Sequence, residues 1–481
     1  MMPEAQPTTS SAVEVVREAA RRQARALSGG LMVVLGGVVA VGAMALFMVL
    51  DYRFDQAPHR LVKIMLGATA IALIILKPSF GLFLIPIAAP FMSLMPLLPI
   101  PGVNTLNALL FSVFFTWALA RVINREPLFG PDRLGGWIGA LLLVVMLSIV
   151  RGAAYPAGFK YEPGPAGLDL FRAAVSFSPY FICMAMTQGE RGRRNMVWAV
   201  MLGLAVEAVT TMVLGQNGRG GRAAGSIGQP NQLGTFLALY TALTAAMVTG
   251  VRGWFPRLML LASVAGGAFG IFLSVSRGAI VALVVAMLFV AFRSSRLLTV
   301  VVLVALATSP LYTPENVKLR MTSTHEEVEG SDETVLEGSA QARIDTWQTI
   351  IKIAKDHPID GVGFGGLGYL LRETGGALGY SEAVDSAHNT FMRMLGEMGI
   401  FGLAVFVGLL WTCWRLSADG IRLARNRLDR QLAVGLGGAT LALAVSCWFG
   451  DRFWAFDVMA SYWILCALVN NMVFECRAEK A

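Results

Sequence analysis

His388 stands at the head of a long apolar block, in DSAHNTFMRMLGEMGIFG. Imidazole titrates near neutrality, so a histidine at that boundary has the chemistry of a general base toward an incoming hydroxyl; a polar cap on a helix start is the other reading, and for a lone histidine the commoner one. Upstream, GQNGRGGRAAGSIGQPNQLG, residues 215–234, sets Arg219 and Arg222 among glycines just ahead of a block that opens at Asn231. Glycine lets a backbone wrap closely around an oxyanion and a guanidinium fork matches phosphate oxygens, which suits a phosphate cradle. A flexible loop whose arginines meet lipid headgroups fits the same composition equally well. Arg277, in LSVSRGAIVAL, lies between two apolar blocks with almost no polar spacer. So close to hydrocarbon, a guanidinium normally faces a partner or a wet cavity, and no other basic residue is expected so deep on that face; a snorkelling side chain at a tight turn is the alternative.

Weaker signals surround these. Arg343 begins an amphipathic run and has the reach for phosphate or sugar, although a surface salt bridge is the blander role. Arg393 and Glu397 are four apart on one helix face and Glu207 lies inside another apolar block, so they either line a cavity or neutralise charge locally. GVGFGG, residues 361–366, has the dinucleotide glycine spacing but no strand before it, so it is not read as a nucleotide loop. The remaining histidines, His59, His325 and His357, lack the setting of His388.

The elements that must position these residues are membrane helices. Of 481 residues, 56% are hydrophobic and only 15% charged, which leaves too little polar skin for a dissolved domain of this size. The apolar residues gather into blocks near the roughly 20 residues a helix needs to cross hydrocarbon, and they run apolar on all sides without the alternation of barrel strands. The expected class is all-α: a polytopic transmembrane bundle of about 12–14 spans with one long loop containing amphipathic helices. Spans are expected at 28–50, 61–76, 80–99, 104–120, 134–150, 170–187, 196–215, 231–250, 255–276, 278–292, 297–309, 388–414, 431–450 and 455–474, the pair after 278 being short. The charge of +8 is spread over many short loops with no basic groove, which argues against nucleic acid and for topology signalling. The five cysteines fall in or beside apolar blocks and suggest neither a disulfide framework nor a zinc site, and no metal or cofactor is expected.

Arg17, Arg21, Arg22 and Arg25 precede the first block, which places that end in the cytoplasm, uncleaved. Alternation then puts the arginine clusters at 121–133, 191–194, 252–257, 293–296 and 415–430, and the tail with Arg477 and Lys480, on the cytoplasmic side. The outer face receives the 215–231 loop, Arg277 and the long loop 310–387. That loop opens with an acidic stretch, Glu326 to Glu337, read as exposed and mobile. It continues with Ala342–Ala354, whose Ile344, Trp347, Ile350, Ile351 and Ala354 fit a helix lying on the membrane surface.

These motifs resemble the O-antigen ligase and polymerase superfamily of bacterial membrane glycosyltransferases. The family pattern of histidine, a small amide or hydroxyl residue, nine residues, glycine and a second small residue reads here His388, Asn389, TFMRMLGEM, Gly399, IF, Gly402. An arginine ahead of a Pro-Asn span start is matched by Arg222 with Pro230 and Asn231, and an SRG segment by Arg277. R-x-x-x-W followed by P-x-x-G-x-G is matched by Arg343, Trp347, Pro358, Gly361 and Gly363. The resemblance covers about 215–410. It implies a GT-C-like fold and metal-independent transfer of a glycan, with inversion, from an undecaprenyl-pyrophosphate carrier to an acceptor hydroxyl at the periplasmic side of the bacterial inner membrane. His388, Arg222 and Arg277 would be catalytic, and Arg219, Asn231, Arg343, Asn389 and Glu397 would bind substrate.

The partners implied are the lipid-linked glycan, an acceptor glycolipid such as lipopolysaccharide core or a growing polysaccharide, and membrane lipids. The corresponding division is a cytoplasmic segment 1–27, N-terminal helices 28–214, a ligase-like region 215–414 with the loop 310–387, and C-terminal helices and tail 415–481. A polymerase of polysaccharide repeat units and a protein O-oligosaccharyltransferase share the motifs. A transporter or lipid flippase is the reading from another class, but such proteins usually show duplicated halves and midplane ionisable sites, whereas the candidate residues here crowd one face.

Overall fold

In the computed structural model, residues 78–94, 105–125, 127–128, 130–154, 161–218, 221–312, 318, 325–327, 334–336, 338–371 and 386–479 are described. The chain divides into units 1–80 and 81–481, and the described residues belong almost entirely to the second. The expected spans 28–50 and 61–76, the segment 1–27 and Arg219 lie outside the described residues.

The fold is all-α. The helices are α1 (Pro78–Ala88), α2 (Thr105–Ile123), α3 (Gly135–Ala154), α4 (Pro163–Met186), α5 (Gly189–Leu214), α6 (Pro230–Gly250), α7 (Trp254–Ser274), α8 (Arg277–Ser294), α9 (Arg296–Tyr312), α10 (Gly338–Asp356), α11 (Thr390–Leu423), α12 (Arg427–Phe449) and α13 (Phe456–Ala478). Among the described residues, nine of these are long and apolar enough to cross a membrane: α3 to α8 and α11 to α13. Three expected spans fall short of this, the first being 104–120, where α2 counts only as a shorter apolar helix over Val113–Ile123. The block at 80–99 supplies only α1 and a 3-10 turn over Ala89–Leu94, because Pro86 and Pro90 remove backbone donors within it. The 17 residues of α9 reach roughly 26 Å at 1.5 Å per residue, less than a ~30 Å hydrocarbon core.

Helices that are apolar all round should be central, and they are. α13 is wholly buried along its apolar window and α6 nearly so, with α6 packed among α7, α8 and α12. Small residues set that closeness: a Cβ on Gly438 would stand 2.6 Å from Val290 Cγ2, and one on Gly270 2.7 Å from Leu237 Cδ1. Elsewhere large apolar side chains face outward, among them Leu147 and Val150 on α3, Trp254 and Phe255 on α7, and Leu297 and Val300 on α9. An apolar face of that extent suits lipid and would aggregate in water. The protein is a multi-pass membrane protein.

Charges separate to the two ends of the bundle. At one end Arg193 pairs with Asp429 (2.9 Å) and with Glu475, and Asp419 gathers Arg133, Arg422 and Arg477. Arginines assigned to one side by alternation therefore meet around shared carboxylates. The opposite end carries the long loop. There the amphipathic helix, α10, does not lie free on a surface: Ile350 and Ile353 are buried with Val362, Leu367, Leu371 and Ala387, while Ile351 is exposed. The apolar stripe faces the protein because the 361–371 turn and the start of α11 supply a core for it. In the acidic stretch, His325–Glu327 and Thr334–Leu336 form a two-stranded antiparallel ribbon with His325 opposite Leu336, where a mobile segment was expected.

α11 is kinked at Gly399, whose φ of 63° and ψ of −160° belong to a region only glycine occupies without strain. The kink releases carbonyls that the glycine-rich turn takes up: Val362 N donates to Gly396 O and Gly363 N to Glu397 O, both at 3.0 Å, and Ile400 N donates to Pro358 O at 2.9 Å. A Cβ on Gly399 would run into the Ile359 backbone, and one on Gly361 into Glu397 and Met398. GVGFGG is thus a backbone-on-backbone clasp over a helix break, and this is the physical use of its glycines. Gly399→Ala is expected to cost at least about 1–3 kcal/mol. The check is thermal unfolding in detergent against Gly136→Ala, a helical position with open space around it that should hold or gain stability; equal melting of the two variants would refute the clasp.

Candidate active site

The end of the bundle that carries the long loop assembles the candidate residues from several helix starts. The stretch 221–229 is held down before it reaches α6. Asn217 Nδ2 donates to Gly225 O and Asn217 Oδ1 accepts from Ala224 N, both at 2.9 Å, while Ala223 N donates to Leu273 O at 2.9 Å. Beneath it, Glu207 is fully buried and accepts from Ser226 N at 3.0 Å and from the Ser226 hydroxyl. Glu207 is therefore an anchor for this turn, and Ala223 to Ile227 are buried, so the described part of the segment is not a loose loop. Arg222 emerges from it with Nε donating to Ser274 O (2.8 Å) and Nη2 to Asn231 Oδ1 (2.7 Å).

Those two bonds aim Arg222 at the α7–α8 turn. Ser274 ends α7, Val275 takes a left-handed conformation, and Arg277 is the first residue of α8. α6 lies directly against this turn, since a Cβ on Gly234 would approach Ala279 Cβ to 2.7 Å and Ser276 Cβ to 3.1 Å. Arg222 and Arg277 thus share one end of the α6–α8 pair, three residues apart through Ser274 O.

His388 is positioned from the other side. Trp347 Nε1 donates to Ala387 O at 3.0 Å, so α10 pins the residue just before it, with Arg343 one turn earlier on the same face. Asn389 is the N-cap of α11: its Oδ1 accepts from Phe391 N and Met392 N at 2.9 and 3.2 Å. The capping role weighed for His388 therefore belongs to its neighbour, and His388 itself is exposed in a left-handed conformation with φ of 46°. Asn389, expected among substrate-binding residues, is fully buried with both local amides on its carbonyl. Glu397, also expected there, is 2% exposed and bound to Arg393 Nε at 3.0 Å, while Arg393 also pairs with Asp451. This is the mutual-neutralisation reading of the Arg393–Glu397 pair.

The turn between α12 and α13 joins the two sides. Thr390 Oγ1 donates to Gly450 O (3.0 Å) and accepts from Arg452 N (3.2 Å), and Arg452 Nη1 donates to Gln229 Oε1 (3.1 Å) just ahead of α6. A Cβ on Gly278 would stand 2.6 Å from Phe449 Cβ, so the start of α8 also abuts this turn. Arg452 contradicts the expectation that Arg277 alone sits deep on this face, for it is only 7% exposed. Burial pushes its pKa down, the Asp451 and Asp457 charges oppose that, and the Arg343 charge adds to it, which marks Arg343 as a neighbour. The signal in the sequence was the short polar spacer GDRFW between two apolar blocks, the same signal that singled out Arg277. α6, α8, α11 and α13 all begin at this end, so their positive dipole ends add to the arginines.

Around the clasp, Arg151 Nε binds Asp360 Oδ2 at 2.7 Å, with Nη2 2.9 Å from His357 Nδ1. Partial burial works to raise the Asp360 pKa, but the Arg151 hydrogen bond and charge outweigh it and hold the carboxyl below its usual range. A lowered carboxyl pKa adds stability that is present above the unfolded value, near 3.9, and is lost as pH falls through the folded one. Acid should therefore lower the melting temperature less in Asp360→Asn than in the parent, by a small margin because the carboxylate is half exposed; parallel acid profiles would dismiss the linkage.

Among the described residues, no group of three His, Cys, Asp or Glu side chains lies close enough to hold a metal ion. Residues 258–407 match the O-antigen ligase family model, a stretch that includes Arg277, Arg343 and His388 and stops short of Arg222 and Arg452. No curated protein matches the chain.

Proposed function

Proceeding from an O-antigen ligase domain set in a multi-pass membrane bundle, we propose that the protein transfers a glycan from undecaprenyl pyrophosphate to an acceptor hydroxyl on the periplasmic face of a bacterial inner membrane. The match over residues 258–407 supports a membrane glycosyltransferase of the ligase and polymerase kind. The observation that carries the finer reading is the convergence of Arg222, Arg277 and His388 on one end, linked through Asn231, Gln229, Arg452 and Thr390.

In this reading the acceptor oxygen attacks the anomeric carbon as the bond from that carbon to the diphosphate oxygen breaks. The acceptor proton passes to the His388 imidazole, and the lipid diphosphate leaves with the bonding pair. Its charge grows in the transition state, so guanidinium groups fixed beforehand stabilise that state more than the ground state. Arg222 is fixed in this sense by Ser274 O and Asn231. A single displacement gives inversion at the anomeric carbon. Arg343 flanks the donor, Asn231 aims Arg222 at it, and Asn389 acts by holding the helix start that carries His388.

Lipopolysaccharide core is the acceptor this reading favours. The test is reconstitution in vesicles with a lipid-linked glycan and three acceptors in parallel: core lipid, a second lipid-linked glycan and a serine- and threonine-rich protein. Glycan on core lipid supports ligation, chain lengthening on the carrier reassigns the activity to polymerisation, and no product with any acceptor, from protein that still melts cooperatively, overturns the proposal.

A further inference from the structure

The buried guanidinium groups at this end are of two kinds. Arg393 is neutralised by both Asp451 and Glu397. Arg452, next in sequence to Asp451, is more deeply enclosed but has no ion pair among the described residues, and its side chain makes one hydrogen bond, to the neutral Gln229 amide. It folds back over Gly450, where a Cβ would lie 2.6 Å from both Nε and Nη2. The Asp451 and Asp457 charges reach it only from beyond ion-pair distance; holding a buried cation with no carboxylate in direct contact is costly, and proteins retain such a charge where an anion completes it. The positive charge of Arg343 nearby makes the need for an anion greater.

Its place says which anion. Gln229 directly precedes Pro230 and Asn231, the residue that holds Arg222, and Thr390, which binds the Arg452 amide, is two residues from His388. Arg452 stands between the leaving-group arginines and the base. We propose that Arg452 is a third anion-binding guanidinium of the site and contacts a phosphate oxygen of the lipid diphosphate directly. This rests on the donor reading above.

The test compares wild type, Arg452→Gln and Arg452→Lys in nanodiscs. Binding of undecaprenyl diphosphate is measured beside undecaprenol as the phosphate-free control, together with thermal unfolding without ligand. Arg452→Gln should bind the diphosphate about tenfold or more weakly with undecaprenol binding unchanged, since it loses a charge-assisted donor. Its melting temperature without ligand should hold or rise, because a buried charge with no carboxylate in direct contact has gone. Arg452→Lys, which keeps charge but not the fork, should fall between. Equal diphosphate binding by wild type and Arg452→Gln overturns the inference, and so does a steep fall in the unliganded melting temperature, which would make Arg452 a clasp between helix starts. If wild type itself fails to prefer diphosphate to undecaprenol, the donor reading falls with it; if wild type prefers it and Arg452→Gln is unaffected, only the role of Arg452 falls.

Discussion

His388→Asn is expected to lower glycan transfer by about 10²–10⁴-fold, the usual contribution of a general base, while donor binding and melting temperature stay near those of the parent. Asparagine is the informative replacement because the residue sits at φ of 46°, a left-handed conformation that asparagine tolerates better than alanine. Folding should survive for a second reason: the amides at the start of α11 are capped by Asn389, so removing the imidazole uncaps nothing. The pH profile separates base from bystander. A base must be deprotonated to act, so the parent rate should rise with pH along an acidic limb that the variant lacks. Retention of parental turnover by His388→Asn, or an unchanged acidic limb, would remove the histidine from the mechanism.

Asn389 shows how the site could be read from sequence and where that reading stopped. The His-Asn pair at the head of an apolar block was plain in the chain, and the described helices overlap the expected spans because hydrocarbon thickness sets a minimum length, but α4 and α5 begin earlier and α11 runs on further than the apolar count alone marks. Which member of the pair caps the helix was not plain, since either side chain can accept from backbone amides, and only the backbone conformation of residue 388 decides it. Glu397 was ambiguous for a related reason. Its spacing from Arg393 is visible in sequence, but the second carboxylate, Asp451, comes from a turn 54 residues further on, and no local pattern announces that pairing.

The long loop was read least well. The Ala342–Ala354 stripe has the period of a surface helix, and period alone does not say whether lipid or protein covers it. Val362, Leu367 and Leu371 supply the cover, and they fold over α10 only because Gly361 and Gly399 let two backbones meet at the kink of α11. Arg452 was missed by giving weight to one short polar spacer, at Arg277, and none to the equally short one at Gly450–Trp454. The rule that a charge pressed against hydrocarbon needs a partner applies to both.

Arg222→Gln is expected to lose on the order of 3 kcal/mol of transition-state stabilisation, or ~100-fold in kcat, with a much smaller change in KM, and Arg277→Gln should lose a comparable amount. The split follows from the proposed role: a guanidinium matched to the charge of a departing diphosphate does more for the transition state than for the bound donor. Arg222→Lys should recover little, because a single ammonium cannot donate to Ser274 O and Asn231 Oδ1 at the distances the fork spans and still face the donor. Asn231 then becomes the decisive partner. If its amide works by aiming Arg222, Asn231→Ala should cost about tenfold in the parent and nothing further in Arg222→Gln, since residues acting as a unit are not additive. Initial rates of the four proteins in the reconstituted assay close this double-mutant cycle. Losses that multiply instead would mean that Asn231 touches substrate on its own account, and equal kcat in Arg222→Gln and the parent would take the arginine out of the leaving-group site.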